Sequence, residues 1–135
     1  MADPKGLKVD TMRTFLGRAR GLGSAKSGFD HWWIQRLTSI ALVPLTLWFI
    51  WSLAHLTGQP YAEVRAWAGN IINATLLLTL IVLTFEHLHL GVQVVCEDYI
   101  HTDVIRTPVI LAVKAASLLL GLAATIAVLK LAITG

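Results

Sequence analysis

Residues 74–99 read ATLLLTLIVLTFEHLHLGVQVVCEDY. The first eleven, Ala74 to Thr84, are almost wholly apolar, and the segment then acquires Glu86, His87 and His89 before closing on Glu97, Asp98 and Tyr99. In water such a change of character is unremarkable. In a bilayer, ionisable groups are expensive and mark function by default. Which solvent surrounds this stretch therefore decides both fold and function.

The rest of the chain answers for the bilayer. Its 135 residues suffice for one domain; 56% are apolar and only 14% charged, against about 25% charged in a soluble domain. Mean hydropathy is +0.68. A hydrocarbon core about 30 Å thick takes about 20 helical residues to cross. Three stretches are long enough: about residues 37–56 (LTSIALVPLTLWFIWSLAHL), about 71–95 and about 104–133. Each must be helical, because a lone strand leaves its backbone groups unpaired in lipid. The fold class expected is an all-α membrane protein of three transmembrane helices.

Local signals refine the spans. Pro44 removes a backbone hydrogen bond inside the first and predicts a kink there. Thr57 to Tyr61, TGQPY, reads as a turn between spans one and two. Pro108 suits the first turn of span three. Trp32, Trp33, Trp48, Trp51 and Trp67 fit aromatic belts at the two interfaces. Seven of the eleven basic residues (Lys5, Lys8, Arg13, Arg18, Arg20, Lys26 and Arg36) precede span one, and the following loop carries only Arg65. The bias predicts a cytoplasmic N-terminus and, after three crossings, a C-terminus outside. Residues 1–28 form a basic arm and 29–135 the membrane domain.

The arm does not read as a signal peptide, having no apolar core before residue 37, nor as a transit peptide, since it carries Asp3 and Asp10. It reads as mature, bacterial sequence. Its charges fit anionic lipid headgroups, not nucleic acid, for which no folded basic platform exists. Cys96 is the single cysteine, so no internal disulfide forms; it reads as a small buried hydrophobe.

On a helix turning about 100° per residue, Gly91, Val94 and Asp98 fall within about 40° of His87. Tyr99 lies beside that stripe, His89 on the opposite face and Glu86 on a flank. His87 sits about 16 Å deeper than Asp98 at 1.5 Å per residue. A buried neutral imidazole can give a lone pair to haem iron, and Gly91 one turn on removes a side chain where a flat macrocycle needs room. Equally, a transmembrane histidine can hydrogen-bond a neighbouring helix, or join Glu86 and Asp98 in a proton relay. Glu97, Asp98 and Asp103 also read as solvated charges near a helix end.

Two elements carry a family resemblance: the His87–Gly91–Asp98–Tyr99 pattern, and HWWIQRLTSIALVPL from His31 to Leu45. Over about residues 28–130 the sequence resembles the small membrane-anchor chains of succinate dehydrogenase, respiratory complex II, in their alphaproteobacterial and mitochondrial-like form. The resemblance implies half of a six-helix heterodimeric haem-binding bundle, completed by a second three-span anchor of cytochrome b type. It implies one haem b with an axial histidine from each chain, His87 being this chain's. It places Asp98 and Tyr99 at the ubiquinone site, and Arg36, His31 and Gly91 near the haem or its propionates; Arg36 suits carboxylates through bidentate bonding. It implies a flavoprotein holding FAD and an iron–sulfur subunit as further partners, in a bacterial inner membrane with the C-terminus periplasmic. This chain alone would have no activity. A fumarate reductase anchor would use the same ligand set in reverse. A small proton or ion transporter lacks the expected inverted repeats and broken helices, and a bare scaffold leaves the His87 stripe unexplained.

Overall fold

A computed structural model describes residues 14–20 and 28–134. Of the basic arm, Lys5, Lys8, Arg13 and Lys26 lie outside the described residues, and the Arg18 side chain is likewise not described. The described chain is helical throughout: α1 (Phe15–Ala19), α2 (Gly28–Leu56), α3 (Tyr61–Gly69), α4 (Ile71–Tyr99) and α5 (Asp103–Thr134).

Among the described residues, α2, α4 and α5 are the three helices long and apolar enough to cross a membrane. Their ends extend past the spans drawn from hydropathy. α2 begins at Gly28, about two and a half turns before the apolar run, and carries the aromatic and polar FDHWWIQR segment. α4 reaches Tyr99, so Asp98 and Tyr99 form its last turn instead of a loop. α5 opens at Asp103, with the Thr102 carbonyl accepting from the amides of Ile105 and Arg106. Pro108 thereby falls in the second turn of α5, not the first. α2 runs unbroken through Pro44.

The connection after α2 is more than a turn. Gly58 takes φ of 81°, a conformation open to glycine because it has no Cβ. Pro60 then starts α3, nine residues long. Trp67 stacks on Trp48 of α2 at 5.7 Å, and Asn73 donates its side-chain N–H to the Trp67 carbonyl at 2.9 Å. Asn70 caps α4: its Oδ1 accepts from the amides of Ile72 (2.9 Å) and Asn73 (3.4 Å), as helix N-termini require. α3 also lies along the far end of α5, where a Cβ on Gly69 would meet the Ala132 carbonyl at 3.6 Å.

α4 packs on α5 and, on its other side, on α2. The buried positions are mostly small: Ala68, Ala74, Cys96, Thr38, Ser52 and Ser117, with Leu77 and Leu90. Apolar burial drives little between helices in lipid, so close approach of small side chains carries the association. Gly121 of α5 makes this concrete, since a Cβ there would come within 3.3 Å of the Phe85 ring. Cys96 is buried and unpaired, as its lone thiol predicts. Among the described residues no large side chain is fully buried, and Leu37, Ile40, Val43, Leu47 and Ile50 leave an apolar stripe exposed along α2.

Candidate functional site

Three helix ends meet on one side: the start of α2, the end of α4 and the start of α5. There a cavity of about 280 Å³ opens between α2 and α4, lined by His31, Trp32, Gln35, Leu90, Gln93 and Glu97, among others. His87 lies one helical turn inward from Leu90, against α2.

The His87 ring bridges to two side chains of α2. Its Nδ1 lies 2.9 Å from Thr38 Oγ1, and its Nε2 lies 3.4 Å from the Gln35 amide nitrogen. An amide nitrogen only donates, so the ring nitrogen facing Gln35 is the one with the free lone pair. Thr38 is 6% exposed, and its hydroxyl donates to the Ile34 carbonyl at 2.8 Å, with the Gln35 carbonyl at 3.1 Å. With that hydrogen directed to backbone, Thr38 Oγ1 accepts from Nδ1–H. These contacts fit a tautomer with the proton on Nδ1 and the lone pair on Nε2.

Gly91 sits beside this arrangement, and a Cβ there would meet the Gln35 amide nitrogen at 3.4 Å. The room it leaves is occupied by the Gln35 side chain. Gln35 Oε1 is buried without a hydrogen-bond partner. So is Gln93 Oε1, although Gln93 donates through Nε2 to Glu97 at 2.8 Å. Unsatisfied buried polar atoms are uncommon in native structures, and here both belong to the lining of one cavity.

The remaining expected residues fall around this centre. His31 is half-buried and lines the cavity. Arg36, next to Gln35 on α2, turns to the exposed side with its guanidinium over the Trp32 ring at 4.3 Å from the centroid, and so is not brought to His87. Asp98 is exposed and Tyr99 is 78% exposed; both stand on the last turn of α4 on the same side of the bundle as the cavity. Asp103 pairs with Arg106 at the start of α5.

His89 takes the opposite face, as helical spacing predicts. A second cavity of about 330 Å³ lies there between α4 and α5, with Phe85, Glu86, His89, Lys114, Ser117 and Gly121 in its lining. His89 Nδ1 is 3.4 Å from the Phe85 carbonyl and 3.7 Å from Glu86 Oε2. Glu86 thus has His89 as a basic neighbour on its own helix, with Lys114 of α5 lining the same groove.

The sequence singled out His87 and Gly91 but not Gln35 and Thr38, which the structure sets against the His87 ring, nor Gln93 and Lys114, which line the two cavities. Gln35 and Thr38 carried a signal: two polar residues three apart, one helix face, at the edge of an apolar span. Among the described residues no three His, Cys, Asp or Glu side chains converge on a metal position.

Comparison with known proteins gives this geometry a family. The model of the succinate dehydrogenase/fumarate reductase transmembrane subunit family matches residues 10–128. The succinate dehydrogenase hydrophobic membrane anchor subunit of Rickettsia bellii (strain RML369-C) is 38% identical over 118 residues, covering 86% of this chain and 93% of that protein. That of Rickettsia conorii (strain ATCC VR-613 / Malish 7) is 34% identical over 98 residues, 72% of this chain and 78% of that protein. The succinate dehydrogenase membrane anchor subunit of Reclinomonas americana is 33% identical over 84 residues, 60% of this chain and 70% of that protein. No solved structure matches the chain significantly.

Proposed function

The chain belongs to the succinate dehydrogenase/fumarate reductase transmembrane subunit family and is a membrane-anchor subunit of succinate dehydrogenase; on that premise we propose that His87 is an axial ligand of haem b. A second three-span anchor, of cytochrome b type, supplies the other histidine and completes a six-helix bundle. The observation that carries this reading is the setting of the His87 ring: inside a helix long and apolar enough to cross a membrane, with Nδ1 2.9 Å from the Thr38 hydroxyl and Nε2 facing a side-chain amide. Iron requires a lone pair on a ring nitrogen.

The residues present fit a haem. Gln35 stands where Nε2 points, and its oxygen has no partner to lose, so rotating the side chain away sacrifices one long contact of 3.4 Å. Gly91 adds no side chain at that place. Haem b, when bound, supplies a one-electron redox centre inside the bilayer. His87 tunes it through ligand strength. Arg36 and His31, on the first turns of α2, are the groups for its propionates; Arg36 would exchange its stacking on Trp32 for paired hydrogen bonds to carboxylate.

The last turn of α4 forms part of the ubiquinone-reduction site. The Tyr99 phenol donates a hydrogen bond to a quinone carbonyl and orients the ring. Asp98, exposed beside it, holds and passes a proton from water. The electrons come from succinate through the flavoprotein and iron–sulfur subunits, which dock on this side of the membrane against the basic arm of residues 1–28. That side is the cytoplasm, the membrane is the bacterial inner membrane, and residues 29–135 are the anchor domain with a periplasmic C-terminus; the basic bias before α2 supports that orientation.

The test is a reduced-minus-oxidised spectrum of the complex purified from membranes. A sharp α-band of bis-histidine haem b is expected, and His87→Ala removes it. A wild-type complex without the band, or a His87→Ala complex that keeps it, overturns the assignment.

A further inference from the structure

From the contacts of α2 we infer that Thr38 is the positioning residue for the haem ligand, fixing by its hydroxyl which nitrogen of His87 is free to bind iron. The inference rests on His87 being that ligand and adds a function to a residue 49 positions away in sequence.

An imidazole has two neutral tautomers, and which one forms depends on the hydrogen bond at the other nitrogen. A ligand free in an apolar bundle would divide between them and rotate. Here neither freedom remains. Thr38 is itself held, because its χ1 choices are restricted by branching at Cβ, and its hydroxyl hydrogen is taken by the Ile34 and Gln35 carbonyls of the preceding turn. What Thr38 presents to His87 is therefore a lone pair on a fixed oxygen, 2.9 Å from Nδ1 and with 6% of the residue exposed. A fixed acceptor beside Nδ1 keeps the proton there and Nε2 bare, whether Nε2 is facing the Gln35 amide or a metal. Valine would match Thr38 in shape and remove the acceptor.

A second effect follows from the same bond. An acceptor on Nδ1–H draws the proton partly away and makes the ring a stronger donor through Nε2. A stronger donor favours ferric over ferrous iron and lowers the midpoint potential. Thr38 thus sets both the orientation of the ligand and the poise of the centre, from the neighbouring helix of the same chain.

The experiment uses the assembled complex purified from membranes, with haem counted per flavin and the midpoint potential of the b-type haem measured by redox titration. Thr38→Val is expected to raise the potential and to weaken haem retention by about tenfold, the usual loss when a metal ligand's outer partner is removed. Thr38→Ser, which keeps the oxygen, restores both values to wild type. An unshifted potential in Thr38→Val overturns the inference, as does a Thr38→Ser complex shifted as far as the valine variant. Should Thr38→Val not assemble, Thr38→Ala decides by the same titration, an unshifted potential again overturning it. A wild-type complex without a b-type band is a different result and removes the haem reading itself, whereas a banded wild type with unmoved variants removes only Thr38.

Discussion

α4 carries two histidines two residues apart and treats them differently. His87 faces α2 and is held by a hydroxyl and an amide, both neutral, at 2.9 and 3.4 Å. His89 faces α5 and shares a groove with Glu86 and Lys114, its nearest charge partner being the Glu86 carboxylate at 3.7 Å. A bilayer tolerates an ionisable side chain only by pairing it or neutralising it. One face of α4 sets its imidazole between a hydroxyl and a side-chain amide. The other face sets its imidazole beside the Glu86 carboxylate, with Lys114 lining the same groove. Both rings sit at a similar height on one helix, and what distinguishes them is the chemistry of what faces each.

The contrast is broken most directly at the histidines themselves. His87→Ala should abolish the haem b α-band, while His89→Gln should leave it in place; loss of the band in both variants would erase the distinction between the faces. Packing is the next test. Gly121→Leu drives a side chain into Phe85 on the His89 face and should destabilise the bundle by about 1–3 kcal/mol, the usual cost of overpacking. That appears as a lower melting temperature of the purified complex with the haem spectrum retained. On the exposed end of α4, Tyr99→Phe should slow ubiquinone reduction by about two- to tenfold, the value of one hydrogen bond. Succinate oxidation by an artificial acceptor should be unchanged; a matching loss of both activities would show failed assembly instead. The smallest effect belongs to Glu86→Gln, where the α-band and haem content should stay at wild-type values because the carboxylate lies on the other face from the ligand.

Hydropathy located the membrane-depth portion of all three spans, since about 20 apolar residues are hard to mistake. It did not locate their ends. α2 begins within FDHWWIQR because aromatic and polar residues that leave the hydrocarbon can still continue a helix, and α4 reaches Tyr99 for the same reason. α3 was illegible: after Pro60 its nine residues mix Glu63 and Arg65 with alanines and Trp67, and what secures it is stacking on Trp48, a contact made across the bundle. The same divide runs through the site. The His87–Gly91 spacing lies within one helix and is read directly from periodicity. Thr38 and Gln35 matter only because α2 crosses α4 where it does, 49 and 52 residues away along the chain, and no local pattern encodes a crossing. Arg36 shows the same limit, for a residue adjacent to Gln35 lies over Trp32 on another side of the same helix.

Among the described residues no large side chain is wholly enclosed. Such a polypeptide owns almost no private interior, so its persistence in the cell is collective. Made without its companions, it would present its outer ridges to whatever degrades orphaned membrane chains, and the supply of sister chains, more than its own sequence, would set its abundance.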